Sequence, residues 1–157
     1  MPIPETVSRH LDERGVNYRI IDHPYAPSAK ELAQLAHVER GHIAKGVLLR
    51  DEDGPVLVVV PGDHWVRLHH VQETLARPHL DFASEEDIAR WFPDCDQGAV
   101  PPLGMAYGVE TLVDEDLFSL ARVYLESGDH RHLIEVSGED FRTLMAGARR
   151  GHFSHQD

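Results

Sequence analysis

Ala44-Lys-Gly-Val-Leu-Leu-Arg-Asp-Glu-Asp-Gly-Pro-Val-Leu-Val-Val-Val-Pro61 decides the fold of this chain. Two apolar runs flank Asp51-Glu-Asp-Gly54, a cluster of turn formers, so the stretch reads as a β-hairpin with strands 44–50 and 55–61. Val56-Leu-Val-Val-Val60 is apolar at every position. Successive strand side chains point to opposite faces, so both faces of this strand are expected to be covered. A hairpin in the interior of a layered domain is the starting point.

Outward from it, towards the N-terminus, 6–14 reads as a helix stopped by Gly15, and 18–22 as a strand halted by His23-Pro24. Ser28-Ala-Lys-Glu31 is a capping-box pattern, opening a helix to about Ala36 with Leu32, Leu35 and Ala36 inward. Towards the C-terminus, 68–76 is a short helix. Ser84 opens another, with Ile88, Ala89 and Phe92 on one face. The stretch 94–108 is rich in glycine and proline and has no regular period. Strand 110–113 follows, then a second hairpin, 123–126 with 133–136, around Gly128-Asp129. Ser137 begins a last helix to about Ala148, and residues 151–157 read as a polar, frayed tail. Strands and helices mix without strict βαβ alternation. The expectation is one α+β domain, core about 7–148, with a curled, largely antiparallel or mixed, barrel-like sheet flanked by helices.

Composition narrows the function classes. With 157 residues the chain has the size of one ordinary domain. Its formal charge is −12, from 27 acidic and 15 basic residues, which counts against broad binding to a phosphate backbone but permits a local basic patch over one pocket. No apolar run approaches the about eighteen residues of a membrane span, and Met1-Pro-Ile-Pro-Glu5 lacks the features of a secretory leader. A lone cysteine, Cys95, cannot form an internal disulfide, so a reducing cytoplasm is expected. The 12 histidines are scattered. Neither His69-His70 nor His130-x-His132 has metal-ligand spacing, so neither a metal nor another cofactor is expected.

The stretch with chemical promise is Gly98-Ala-Val-Pro-Pro-Leu-Gly104. Pro101 and Pro102 fix two φ angles near about −65° and remove two donors, while Val100 is pushed to an extended conformation. Such a loop holds its remaining N–H and C=O groups in place before any ligand arrives. Lys45, one of two lysines, leads into the first strand of the hairpin beside Gly46, whose missing side chain leaves room next to the ammonium. A fixed ammonium suits a phosphate or a developing oxyanion; a lysine there can also simply snorkel to the surface. Cys95 lacks a histidine partner in sequence and reads as a small apolar filler rather than a nucleophile.

In this order, the N-terminal helix, His23-Pro24, Ala44-Lys-Gly-Val-Leu-Leu49, Pro61, Phe92-Pro-Asp-Cys-Asp96, the Gly98–Gly104 loop and the closing hairpin resemble the YbaK family over about 7–148. These are bacterial homologues of the editing domain inserted in prolyl-tRNA synthetases. The resemblance implies an aminoacyl-tRNA deacylase that hydrolyses mischarged tRNA, typically tRNA for proline carrying a wrong small amino acid. It implies aminoacyl-tRNA, and a prolyl-tRNA synthetase, as partners. It gives Lys45 the family lysine's role and makes Gly98, Ala99, Val100, Pro101, Pro102 and Gly104 the substrate loop. His132 enters as a pocket residue because other branches place a histidine around this hairpin. The resemblance also implies attack by water assisted by the substrate's ribose hydroxyl, rather than by a protein nucleophile or metal. Ile20-Ile21 stands where some members carry a tyrosine. A non-catalytic module that binds a nucleotide, an amino acid or a synthetase is the competing class, and a histidine-based metallohydrolase a third.

Overall fold

Strand β2 (Ile43–Asp51) and strand β3 (Gly54–Pro61) form the expected hairpin, with Lys45 opposite Val60 and Leu48 opposite Leu57. The structure, a computed structural model, describes residues 3–156, so the start of the Met1–Glu5 stretch and the last residue of the 151–157 tail lie outside it.

On its other side β3 runs parallel to β6 (Glu110–Asp114), pairing Val58 with Leu112. Beyond β6 lies β9 (Arg149–Gly151), also parallel. Strand β2 continues at Ile43 and Ala44 into a parallel pairing with β7 (Arg122–Glu126). The second hairpin then adds β8 (His132–Ser137), and β1 (Tyr18–Asp22) closes that edge, both antiparallel. The order β1-β8-β7-β2-β3-β6-β9 is an open path, with the two-residue β5 (Asp81–Phe82) attached to β2. The sheet is therefore mixed: both hairpins and the β1–β8 edge are antiparallel, while β2–β7, β3–β6 and β6–β9 are parallel.

The alternation along β3 explains its unbroken apolar run. Leu57 and Val59 face the larger core with Val7 and Leu11 of α1 (Glu5–Glu13) and Phe141 and Leu144 of α5 (Gly138–Leu144). Val56, Val58 and Val60 face a second core with Val71 of α3 (Leu68–Leu75), Leu80 and Phe153. Both faces are covered, as the run of valines requires. A third cluster sets Leu32 and Ala33 of α2 (Ala29–Ala36) against Ile43 and Leu133. Serines cap three helices: Ser28 on α2, Ser84 on α4 (Glu85–Trp91) with a full capping box to Asp87, and Ser137 on α5. Each such cap stabilises its helix by about 1 kcal/mol.

Three expectations need correction. Leu35 is 38% exposed, because α2 turns Leu32 and Ala33 to the core and leaves Leu35 off that face. Helix α5 stops at Leu144, and the residues to Ala148 form turns that lead into β9. The tail is not frayed: Ser154–Gln156 is a strand, β10, paired antiparallel with β4 (His64–Val66) in a separate two-stranded ribbon. One apolar residue secures it. Phe153 is 2% exposed in the second core, and its N–H donates to Asp114 Oδ2 at 3.0 Å.

Candidate active site

Gly46 brings the two halves of the site together. A Cβ there would meet Val100 Cγ1 at 3.2 Å and Pro102 Cα at 3.4 Å. The space beside Lys45 is thus filled by the proline loop, which packs directly on β2. Next to this contact is a cavity of about 340 Å³, lined on one side by Ala44, Lys45 and Gly46 and on another by Gly98, Ala99 and Val100. The start of α2, Arg40, Trp65, Glu126 and His130 complete the wall. Its size lies at the low end of small-molecule sites, about 300–1,000 Å³.

Lys45 is held rather than left to wander. Its Nζ donates to the His64 carbonyl at 2.9 Å and lies 5.5 Å from the centre of the Trp65 ring. His64 in turn is tied to the C-terminal ribbon. Ser154 Oγ donates to Asp114 Oδ2 at 2.7 Å, which uses its one proton, so at 2.8 Å it accepts from His64 Nδ1. Asp114 is buried and receives the Asp116, Phe153 and Ser154 donors. Its oxygens lie within 4.8 Å of ligand atoms on Asp116 and His152, yet those hydrogen bonds make its role structural.

His130 fastens the substrate loop from the opposite side. It is 5% exposed and left-handed, with φ 61°, a strained setting for a residue with a side chain. The Gln97 carbonyl only accepts, so His130 Nε2 carries a proton and donates to it at 2.7 Å. Its Nδ1 lies 3.6 Å from Glu126 Oε1, and its carbonyl accepts from Ala26 N–H. Burial pushes the Glu126 carboxyl up, against the stabilising N–H of Gly128. In the loop, Gly98 has φ 75°, the left-handed region glycine favours, and Ala99 N–H is taken by Asp96 O at 3.0 Å. The N–H groups of Gly98 and Val100 take no acceptor among the described residues.

Electrostatically the pocket departs from the chain as a whole. Lys30, Arg40 and Lys45 line it against a single carboxylate, Glu126. The N-terminus of α2, at Ser28 and Ala29, adds its positive end. A basic pocket on a chain of net charge −12 suits one anionic group held locally.

The structure brings Lys45, Gly98, Ala99 and Val100 to one cavity and leaves four other expected residues outside its lining. Pro101 and Pro102 are buried behind the loop and support it against Gly46. Gly104 is a packing glycine, since a Cβ there would fall 2.1 Å from Thr111 Oγ1. His132 is held between Asp129 and Asp22, its Nε2 2.9 Å from Asp22 Oδ1. In the same hairpin it is His130 that reaches the cavity, because the left-handed turn reverses the side-chain direction that simple strand alternation assigns. Cys95 is set back from the lining, with Sγ 3.3 Å from Tyr107 Oη. Burial pushes its thiol up to about 12, which makes it a poor nucleophile. Sequence reasoning passed over Trp65, Glu126 and His130 as lining residues. Only His130, beside the expected His132, carried a local signal.

Known proteins resemble this chain throughout its length. The prolyl-tRNA editing protein ProX of Acetoanaerobium sticklandii is 27% identical over 151 residues, covering 92% of each chain. The proline–tRNA ligase of Bacillus velezensis is 33% identical over 108 residues, which is 69% of this chain and 19% of the ligase. A solved structure described as a candidate trans-editing enzyme for prolyl-tRNA synthetase superposes with a TM-score of 0.85 at 26% identity, covering 99% of this chain and 98% of that one. The profile of the aminoacyl-tRNA editing domain matches residues 23–144, a span that contains every residue lining the cavity. By that match this chain belongs to the aminoacyl-tRNA editing domain family.

Proposed function

We propose that this protein is a trans-acting aminoacyl-tRNA deacylase that removes a small wrong amino acid from tRNA for proline in the cytoplasm, alongside a prolyl-tRNA synthetase. The observation that carries this reading is the pairing of a held ammonium, Lys45, with two unspent loop amides, Gly98 and Val100, around one small cavity. An aminoacyl ester is already activated, so positioning water and stabilising a tetrahedral oxyanion is most of the task. Water adds to the ester carbonyl, the carbon–oxygen bond to the ribose breaks, and the proton goes to the ribose oxygen, giving free amino acid and uncharged tRNA. The Gly98 and Val100 N–H groups face the developing oxyanion, where one such donor typically contributes about 3 kcal/mol. Lys45, Lys30 and Arg40 hold the terminal phosphate and set the register. Val100, stiffened by Pro101 and Pro102 behind it, limits the acyl group that fits, and Glu126 with His130 holds the loop from below. A second pocket of this kind is needed because a synthetase gains only about 1–3 kcal/mol of discrimination per methylene.

The test is hydrolysis of tRNA for proline charged separately with alanine, cysteine, serine and proline. Ester loss from at least one small wrong amino acid, with proline spared and with a steep fall in Lys45→Ala, is expected, and a chelator should leave the rate unchanged. Failure to hydrolyse any of the four by a protein of native circular dichroism refutes the reading.

A further inference from the structure

The cavity is framed by an aromatic residue to which the deacylase reading assigns no task. Trp65 is 55% exposed on the three-residue strand β4, yet it lines the same cavity as Lys45. Leaving so large an apolar ring in water forfeits burial that a core position would supply. Resting on the deacylase reading above, we propose that Trp65 is a stacking platform for a nucleobase of the tRNA 3′ end.

Three observations support this assignment. Lys45 Nζ lies over the Trp65 ring, 5.5 Å from its centre, so an aromatic ring and a cation, the two features a nucleotide needs, stand together. The base meets the ring while its phosphate meets Lys45 and Arg40. Tyr25, the other exposed aromatic nearby, meets the His130 ring edge-on at 5.2 Å, whereas Trp65 has no ring partner among the described residues. Trp65 is also carried by a backbone that is pinned. Strand β4 pairs with β10, Trp65 opposite His155. Arg67 N–H donates to Phe153 O at 2.8 Å, and Gln156 Nε2 donates to Asp63 Oδ2 at 3.1 Å. A platform that must hold a base in register cannot be a mobile loop, and this one is clamped from both ends.

The experiment compares steady-state deacylation and tryptophan fluorescence in wild type, Trp65→Leu and Trp65→Phe. Base–aromatic stacking of ordinary strength predicts that Trp65→Leu raises KM by roughly 10- to 100-fold while kcat changes little. Trp65→Phe, which keeps an aromatic face, should recover most of the loss. Titration with the trinucleotide CCA should quench wild-type fluorescence and leave the Trp65→Phe signal unquenched. A KM for Trp65→Leu within twofold of wild type, or equal quenching in Trp65→Phe, overturns the proposal. So does a defect that appears only when a synthetase is present, since Trp65 would then meet protein rather than nucleic acid. If wild type deacylates no substrate, the deacylase reading fails and CCA quenching alone decides the platform.

Discussion

An alanine at position 46 would place its Cβ 3.2 Å from Val100 Cγ1, 3.3 Å from Leu57 Cδ1 and 3.4 Å from Pro102 Cα. Carbon atoms in good contact sit about 3.5–4.0 Å apart, so each neighbour must yield a few tenths of an ångström. Leu57 is fully buried beneath the sheet and has nowhere to go. The loop therefore moves, and because Pro101 and Pro102 stiffen it, the loop moves as a unit, taking the Gly98 and Val100 amides with it. Overpacking of this size costs about 1–2 kcal/mol of stability. Misplacing catalytic groups by 1 Å costs about 100-fold, so a shift of about 0.3–0.5 Å predicts a four- to tenfold fall in kcat/KM. Urea denaturation and deacylation kinetics read the two effects separately. Val100→Ala removes the Cγ1 in the way, so the double variant should be more stable than the sum of the singles by at least about 0.5 kcal/mol. Additive single effects, or a stability loss with unchanged kcat/KM, would show that Gly46 does not set the distance between strand and loop.

Phe153→Ala should cost about 3–5 kcal/mol in a denaturant titration, since it empties a fully packed site and loosens β10; a loss under 1 kcal/mol would contradict the corrected tail. Cys95, with its thiol raised to about 12, should react with a thiol reagent near pH 8 far more slowly in the native protein than after denaturation, and equal rates would refute its burial. Hydrogen bonding to Arg77 holds the Asp51 carboxyl down at about 2. Its folded pKa is below the unfolded value of about 3.9, so the pair stabilises the fold above that pH and the contribution is lost as pH falls towards 2. Asp51→Asn should accordingly be less stable near pH 7 and lose less on acidification between about pH 4 and 2; parallel acid limbs for both proteins would count against the pairing.

The hairpin at 44–61 was legible because a turn cluster separates two short apolar runs of strand length, and the serine caps announced three helices. Lys45 and Gly98–Val100 were legible because Gly46 leaves room beside the lysine, Gly98 permits a tight turn and Pro101-Pro102 fix the backbone that follows. Strands β4, β5, β9 and β10 were not, being two or three residues long, with pairing supplied by distant partners rather than by local pattern. His130 was missed for a related reason: its side chain reaches the cavity through a left-handed backbone, which a sequence of Gly-Asp-His-Arg-His does not assign to one residue over the next. Trp65 joins the site only through the three-dimensional path of the chain.

The line of contacts from Asp114 through Ser154 and His64 to the Lys45 ammonium also has a meaning in time. Lys45 emerges early during synthesis, but the hydroxyl that orients His64 belongs to a residue made more than a hundred positions later. Until Ser154 has left the ribosome, the hairpin can fold with its lysine in place in sequence and without the anchor of the carbonyl that holds it. A chain that stops short of Phe153 is therefore expected to lack, together, part of its second core and the Ser154 hydroxyl that orients His64.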